Sequence, residues 1–338
     1  MSTFSRRDFL RYSTAAAAIP VMSGCSDDYA SIDSTLPVGR FGADSTAEEV
    51  TEGLDLSGKV MLITGCNSGI GLETMRVLAM RGAHVIGTGR TLEKARKACA
   101  SVAGKTTPVA LELSDFQSAV DCAATVAEMG LALDAVILNA GIGSFGEMQL
   151  VNGVERIFAI NYLGHYVLMN HLLPLVQASQ QGRIVHVGSR QGYMSAPAAG
   201  IDFDNLRGEK AYDADLAYGR SKLANALFSL KLSRMLDPAK TTSNVLHPGF
   251  VKTNIARDAG FLVRVGFDIV GPFITKTPAQ GAATQSYVAT APALAGISGA
   301  YFADCNPARI EVPNFFFDQP LADKLWDATQ DMCKGYLI

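Results

Sequence analysis

Residues 59–71 read K-V-M-L-I-T-G-C-N-S-G-I-G, and residues 72–82 continue L-E-T-M-R-V-L-A-M-R-G. The run from Lys59 to Thr64 is short, apolar and of strand type. After Gly71 the apolar residues fall at helical spacing until Gly82 stops them. Strand, glycine turn and helix in that order are what a dinucleotide phosphate site requires. Gly65 permits a tight turn, Gly69 lets backbone N–H groups approach a pyrophosphate, and Gly71 lets the helix pack close to the strand. An anion held there rests on the positive end of the helix dipole. A glycine triad alone is weak; flanked by both elements it decides the fold.

The alternation continues outward. The strand A-H-V-I-G-T-G (83–89) is followed by a helix T-L-E-K-A-R-K-A-C-A-S-V-A, a strand P-V-A-L-E-L (108–113) and a helix from Asp115 to about Met129. The strand A-V-I-L (135–138), a long helical stretch over 150–178 and the strand R-I-V-H-V-G come next. A helix around Tyr218, the strand S-N-V-L-H, a helix near 278–291 and a last strand A-Y-F close the series. Strands alternating with helices predict parallel pairing through right-handed crossovers. The expected fold is therefore α/β: a doubly wound Rossmann-type parallel sheet with helices on both faces, one domain over residues 55–338. At the end of the second strand an acidic residue would accept hydrogen bonds from a ribose 2′-hydroxyl, whereas an arginine accommodates a 2′-phosphate. Arg90 stands there, which favours NADP, with NAD as the alternative.

Composition narrows the function classes. The 338 residues are 48% hydrophobic with a net charge of -3 and no long basic run, which argues against a nucleic-acid partner. The six cysteines show neither C-x-x-C nor metal spacing, so no metal site is expected, and five of them read as small core residues. Cys25 is the exception. Residues 1–25 combine Arg6–Arg7 in S-R-R-D-F-L, the apolar T-A-A-A-A-I-P-V and the exit M-S-G-C. That sequence predicts a twin-arginine export signal with a lipoprotein-type processing site, placing the chain in a bacterial cell envelope or periplasm with a lipid anchor on Cys25. Met22 stands where leucine is more usual. Residues 26–54 are polar and unpatterned and read as a flexible tether.

Within A-Y-G-R-S-K-L-A-N (217–225), Tyr218 and Lys222 are four apart and share one face of a helix. L-N-A-G (138–141) ends the fourth strand, G-S (188–189) ends the fifth, and Asn161 lies between them in F-A-I-N-Y-L-G-H-Y. Together with T-G-C-N-S-G-I-G (64–71) and H-P-G-F-V-K-T (247–253), these pieces stand in the order found in the short-chain dehydrogenase/reductase family, which the chain resembles over about residues 55–335. I-D-F-D-N-L-R-G-E-K-A-Y, A-Y-G-R-S-K-L-A-N-A-L-F and K-L-W-D-A-T resemble its retinol-dehydrogenase-like branch.

The resemblance implies a catalytic set of Asn161, Ser189, Tyr218 and Lys222. Tyr218 would be the general acid/base toward a substrate oxygen, and Ser189 would orient that oxygen. Lys222 would lower the Tyr218 pKa and bond the nicotinamide ribose, while Asn161 would hold a water linking Lys222 to solvent. The implied cofactor contacts are Gly65, Asn67, Ser68, Gly69, Ile70 and Gly71 in the turn, Arg90, the Glu112–Leu113 pair, Asn139, Ala140 and Gly141, Tyr218 and Lys222 themselves, and Pro248, Gly249, Val251 and Thr253. The branch more often has Asp-Leu where Glu112–Leu113 stands, and asparagine where His186 stands; His186 reads as a packing residue. The implied activity interconverts an alcohol and an aldehyde or ketone, with pairing of identical chains through long helices. After Thr253, the residues Phe261, Leu262, Val265, Phe267, Ile269, Val270 and Phe273 form an apolar stretch. It reads as a lid over a lipophilic substrate, as an ordinary helix packed on the sheet, or as a surface resting on a bilayer. A second function is a cofactor-binding, membrane-tethered scaffold with little turnover.

Overall fold

The computed structural model describes residues 29–144, 146–210, 212–251 and 275–338. Its first described segment corrects the tether expectation. Residues 29–54 are docked on the domain: β1 (Ala30–Ile32) pairs antiparallel with β11 (Asn306–Ile310), and α1 (Ala47–Val50) buries Ala47 and Val50. A capping box holds α1, with the Thr46 hydroxyl accepting from Glu49 N and the Glu49 carboxylate accepting from Thr46 N at 2.7 Å. A four-residue helix is too short to leave a periodic signature, so composition alone reads as linker.

The remaining strands of the main sheet are β2 (Val60–Ile63), β3 (His84–Gly89), β4 (Thr106–Ala110), β5 (Ala135–Leu138), β8 (Gly182–Val187), β9 (Thr241–His247) and β10 (Tyr301–Ala303). Their order is β1-β11-β10-β9-β8-β5-β2-β3-β4, parallel from β10 to β4 and antiparallel only at β11 and β1. The expected doubly wound parallel sheet is present, and all seven expected strands are found. The third falls earlier than expected, at Thr106–Ala110, and the antiparallel edge was not expected.

Burial on both faces explains the uninterrupted apolar runs. In β2, Leu62 enters one core layer while Met61 and Ile63 enter the other; in β5, Val136 and Leu138 oppose Ala135 and Ile137. Strand side chains alternate faces, so a strand covered on both sides has no polar half. The second layer includes Met75 and Leu78 of α2 (Gly69–Met80) and Cys99 of α3 (Leu92–Ala100). The first includes Phe116 of α4 (Phe116–Ala127) and an aromatic group, Tyr162, Tyr166, Phe228 and Trp326, with ring centroids 5.1–6.2 Å apart.

The expected helix over 150–178 is shorter. Residues 150–155 form a hairpin of β6 (Leu150–Val151) and β7 (Val154–Glu155), with Asn152 and Gly153 at positive φ in its turn. The helix then runs as α5 (Arg156–Phe158), a π-helical turn Ala159–Leu163, and α6 (Gly164–Gln177). Asn152–Gly153 is a strong hairpin signal, and it prevails over the surrounding pattern. Cys66, Cys99, Cys122, Cys305 and Cys333 are all free and buried; Cys25 lies outside the described residues.

Candidate active site

The predicted residues follow the carboxyl ends of the parallel strands: Gly65 after β2, Arg90 after β3, Glu112 after β4, Asn139 after β5, Ser189 after β8 and Pro248 after β9. A crevice at that edge of a doubly wound sheet is where ligands bind. Here it is one cleft of about 1060 Å³. All the predicted residues line it except Asn161, which lies behind the wall, and Thr253, which falls outside the described residues, as does the apolar stretch 261–273.

At one end the cleft is made of backbone. Gly65 and Gly69 have φ of +75° and +60°, a region that side chains disfavour. A Cβ on Gly71 would lie 2.3 Å from the Gly65 carbonyl oxygen and 2.5 Å from Asn139 Nδ2, so only hydrogen fits. Ser68, the N-cap of α2, makes no side-chain cap bond, which leaves the first-turn N–H groups to face the cleft. Such a cradle fits a pyrophosphate. Arg90 is exposed at the rim, while Glu112 is turned onto Ser114, accepting from its N at 3.0 Å and its hydroxyl at 2.8 Å. The residues present fit a dinucleotide.

At the other end the cleft is made of side chains. α7 (Gln191–Met194) packs on α8 (Ala214–Met235), which carries Tyr218 and Lys222, and the contact is close because a Cβ on Gly219 would meet the Ser195 carbonyl oxygen at 2.3 Å. Asp213 caps α8, accepting from the N–H groups of Asp215 and Leu216, both at 2.9 Å. Ser189 lies beside the Tyr218 hydroxyl and favours its ionised form. The Lys222 amine sits 5.7 Å from the centroid of the Tyr218 ring and donates to the Val187 carbonyl at 2.9 Å. Burial pushes the phenol up to about 12 and the amine down to about 8. The phenol is therefore not held low by Lys222 in the protein alone: burial disfavours the phenolate, and the amine is directed at a carbonyl.

Asn161 occupies the π-helical turn, a feature often found at functional sites. Its Oδ1 accepts from Ile142 N at 2.8 Å, and its Nδ2 donates to Ile142 O and Ser221 Oγ, each at 3.0 Å. Gly141 separates it from the cleft; a Cβ there would lie 3.1 Å from Asn161 Oδ1 and 3.7 Å from Lys222 Nζ.

Several residues that the sequence reading gave no role hold these parts together. Thr64 Oγ1 accepts from the N–H groups of Asn139 and Ala140, both at 2.9 Å, and meets His165 Nε2 at 2.9 Å. With both lone pairs used, its proton goes to His165 Nε2, and Nδ1–H then donates to the Asn161 carbonyl at 3.2 Å. His165 thus joins the glycine turn to the π-helical turn as a neutral imidazole, and burial pushes its pKa down to about 4. Glu155 and Arg220 form a buried ion pair of 3.6 Å with side-chain exposures of 1% and 5%. Glu155 also accepts from the N–H groups of Ile157 and Phe158, and Arg220 donates to the Asn205 carbonyl at 2.8 Å. Lys276 lines the cleft, pairs with Asp304 and covers Gly249, where a Cβ would strike its Cδ at 2.6 Å. His186 packs edge-on to Phe228 with Nε2 3.1 Å from Ser243 Oγ, as its packing assignment expects.

Comparison with known proteins agrees with this geometry. The family described as short chain dehydrogenase matches residues 59–201. The chain is 39% identical over 301 residues to short-chain dehydrogenase TIC 32 B, chloroplastic, of Brassica napus, covering 85% of this chain and 92% of the relative. It is 36% identical over 297 residues to retinol dehydrogenase 14 of Homo sapiens, covering 82% and 87%. A crystal structure of an uncharacterised protein from Mycobacterium paratuberculosis superposes with a TM-score of 0.66 at 28% identity, over 84% of this chain and 97% of that one. The chain belongs to the short-chain dehydrogenase/reductase family, NAD(P)-dependent oxidoreductases acting on CH–OH groups.

Proposed function

We propose that the protein interconverts a lipophilic alcohol and its carbonyl compound with NADP(H), Tyr218 serving as general acid/base. The observation that carries this reading is the meeting of Tyr218, Ser189 and Lys222 at one end of the glycine-lined cleft, with the Lys222 amine 5.7 Å from the centre of the tyrosine ring. The nicotinamide, when bound, supplies or accepts the hydride. In the reducing direction Tyr218 gives its proton to the substrate oxygen while the Ser189 hydroxyl orients that oxygen. Lys222, with a pKa of about 8, is poised near neutral pH to return a proton toward the phenol and to bond the cofactor ribose. Asn161 fixes the wall beside Lys222 through Ile142 and Ser221. Arg90 supports the preference for a 2′-phosphate, since no carboxylate directly precedes it at the end of β3.

The test is carbonyl-dependent oxidation of NADPH by the purified protein across aldehydes and ketones of increasing chain length, with Tyr218→Phe as control. Turnover that survives this substitution overturns the assignment of Tyr218, and tight NADPH binding without turnover of any carbonyl favours the scaffold reading. Export and lipidation at Cys25 are also proposed, on the sequence of residues 1–25. Fatty-acid labelling in cells that is lost in Cys25→Ala supports the anchor; labelling that persists overturns it.

A further inference from the structure

We infer that the substrate is amphipathic, an apolar carbonyl compound bearing an anionic group, and that Arg190 receives the anion. The inference rests on the carbonyl-reductase reading above and specifies its substrate class. Arg190 follows Ser189 directly, opens α7 and lines the cleft, half-buried. Arg190, Lys222 and Lys276 all face this end, close enough that each disfavours a proton on His247. Two of them are already matched: Lys222 donates to the Val187 carbonyl and Lys276 pairs with Asp304. The Arg190 guanidinium has neither ion pair nor hydrogen bond with any described residue.

A guanidinium is a rigid fork of five donors and is always charged; in a partly desolvated cleft it calls for an acceptor. Among the described residues the neighbouring groups do not serve. Asp215 lines the same cleft from the exposed first turn of α8 but forms no ion pair with Arg190, and the Gln191 side-chain oxygen already accepts from the Ser195 hydroxyl. The anions of a dinucleotide have their own receivers, the Gly65–Gly71 cradle and Arg90, on different strands from Arg190. What remains is the substrate. Its apolar part has matching surface nearby: Phe250 on the cleft wall is 44% exposed, and Met194, one helical turn from Arg190, is 42% exposed. A carboxylate accepts the guanidinium fork in two parallel bonds, which fixes orientation as well as affinity.

The experiment compares decanal with 10-oxodecanoate, and shorter pairs of the same kind, using NADPH and the full chain. The expected result is a kcat/KM for the oxo acid about tenfold or more above that of the neutral aldehyde for at least one chain length, expressed mainly in KM. Arg190→Gln should erase that ratio, and Arg190→Lys should restore part of it. Equal or better turnover of the neutral aldehydes, with a ratio unmoved by Arg190→Gln, overturns the inference while leaving the reductase reading intact. A rise in the KM for NADPH in Arg190→Gln, with the substrate ratio unchanged, also overturns it, by assigning Arg190 to the cofactor. No turnover of any carbonyl in the wild type sinks the reductase reading itself.

Discussion

At the glycine end of the cleft the chain offers backbone; at the tyrosine end it offers side chains. The first comes largely from one contiguous stretch, Gly65 to Gly71, whose geometry is set by the lack of Cβ atoms. The second is gathered from β8, the π-helical turn and α8, and its geometry depends on buried polar links. A backbone cradle tolerates little change in its own residues and needs little from elsewhere. A side-chain site needs every supporting element in place. His165 bonds to both, through Thr64 on one side and the Asn161 carbonyl on the other.

The largest effect expected from separating the two ends is that of Tyr218→Phe. Loss of a general acid/base lowers kcat by about 10²- to 10⁴-fold. If the ends act independently, NADPH affinity measured by fluorescence titration stays within about threefold, well below the tenfold that each 1.4 kcal/mol represents. Next comes Glu155→Gln, which strands Arg220 in the interior and should lower stability to urea by about 3 kcal/mol. Replacing both partners together, Glu155→Leu with Arg220→Met, should cost less than the single change. A double variant as weak as the single one would show that the pair matters for more than mutual neutralisation.

Gly71→Ala sharpens the comparison from the other side. Its Cβ would meet backbone at 2.3 Å, which cannot swing away. The expected cost is about 1–3 kcal/mol of stability with weakened NADPH binding. Unchanged cofactor affinity would mean that the cradle is not where the phosphates rest. Acid tests the joint between the ends. Burial lowers the folded-state pKa of His165 to about 4 and of His186 to about 3, so below about pH 6.5 the unfolded chain takes up protons that the folded chain refuses. Stability should therefore fall with pH between about 6.5 and 4, by about 1 kcal/mol per pH unit for each histidine. Urea midpoints for the wild type and His165→Gln across this range should differ in slope; equal slopes would refute the assignment. The smallest effect is that of Arg90→Ala at the exposed rim, about a tenfold loss of preference for NADPH over NADH in kcat/KM.

The glycine turn, the seven parallel strands and the positions of Tyr218, Lys222 and Ser189 were legible because each has a local cause: a run, a period, a turn residue. Glu155 and Arg220 were not. Arg220 sits between Tyr218 and Lys222 in a charged, polar stretch that reads as solvent-facing, yet α8 is buried over most of its circumference from Ala217 to Ser229. Lys276 escaped for a related reason, since its partner Asp304 lies in a turn between two strands far along the chain. The segment 29–54 escaped because a three-residue strand and a four-residue helix carry no period. The direction of the Tyr218 shift also differed from expectation, because a four-residue spacing shows that a cation is near but not that burial outweighs it.

By itself the sequence determined the alternation of parallel strands and helices, the glycine turn between the first strand and its helix, and the placing of Tyr218 and Lys222 on one helix face, because backbone freedom and hydrophobic period are written residue by residue. Only the tertiary structure decided which of the described charges are buried and matched, and that residues 30–32 join the sheet. Those outcomes depend on distances between residues far apart in the chain, and on how much water each group loses when the layers close.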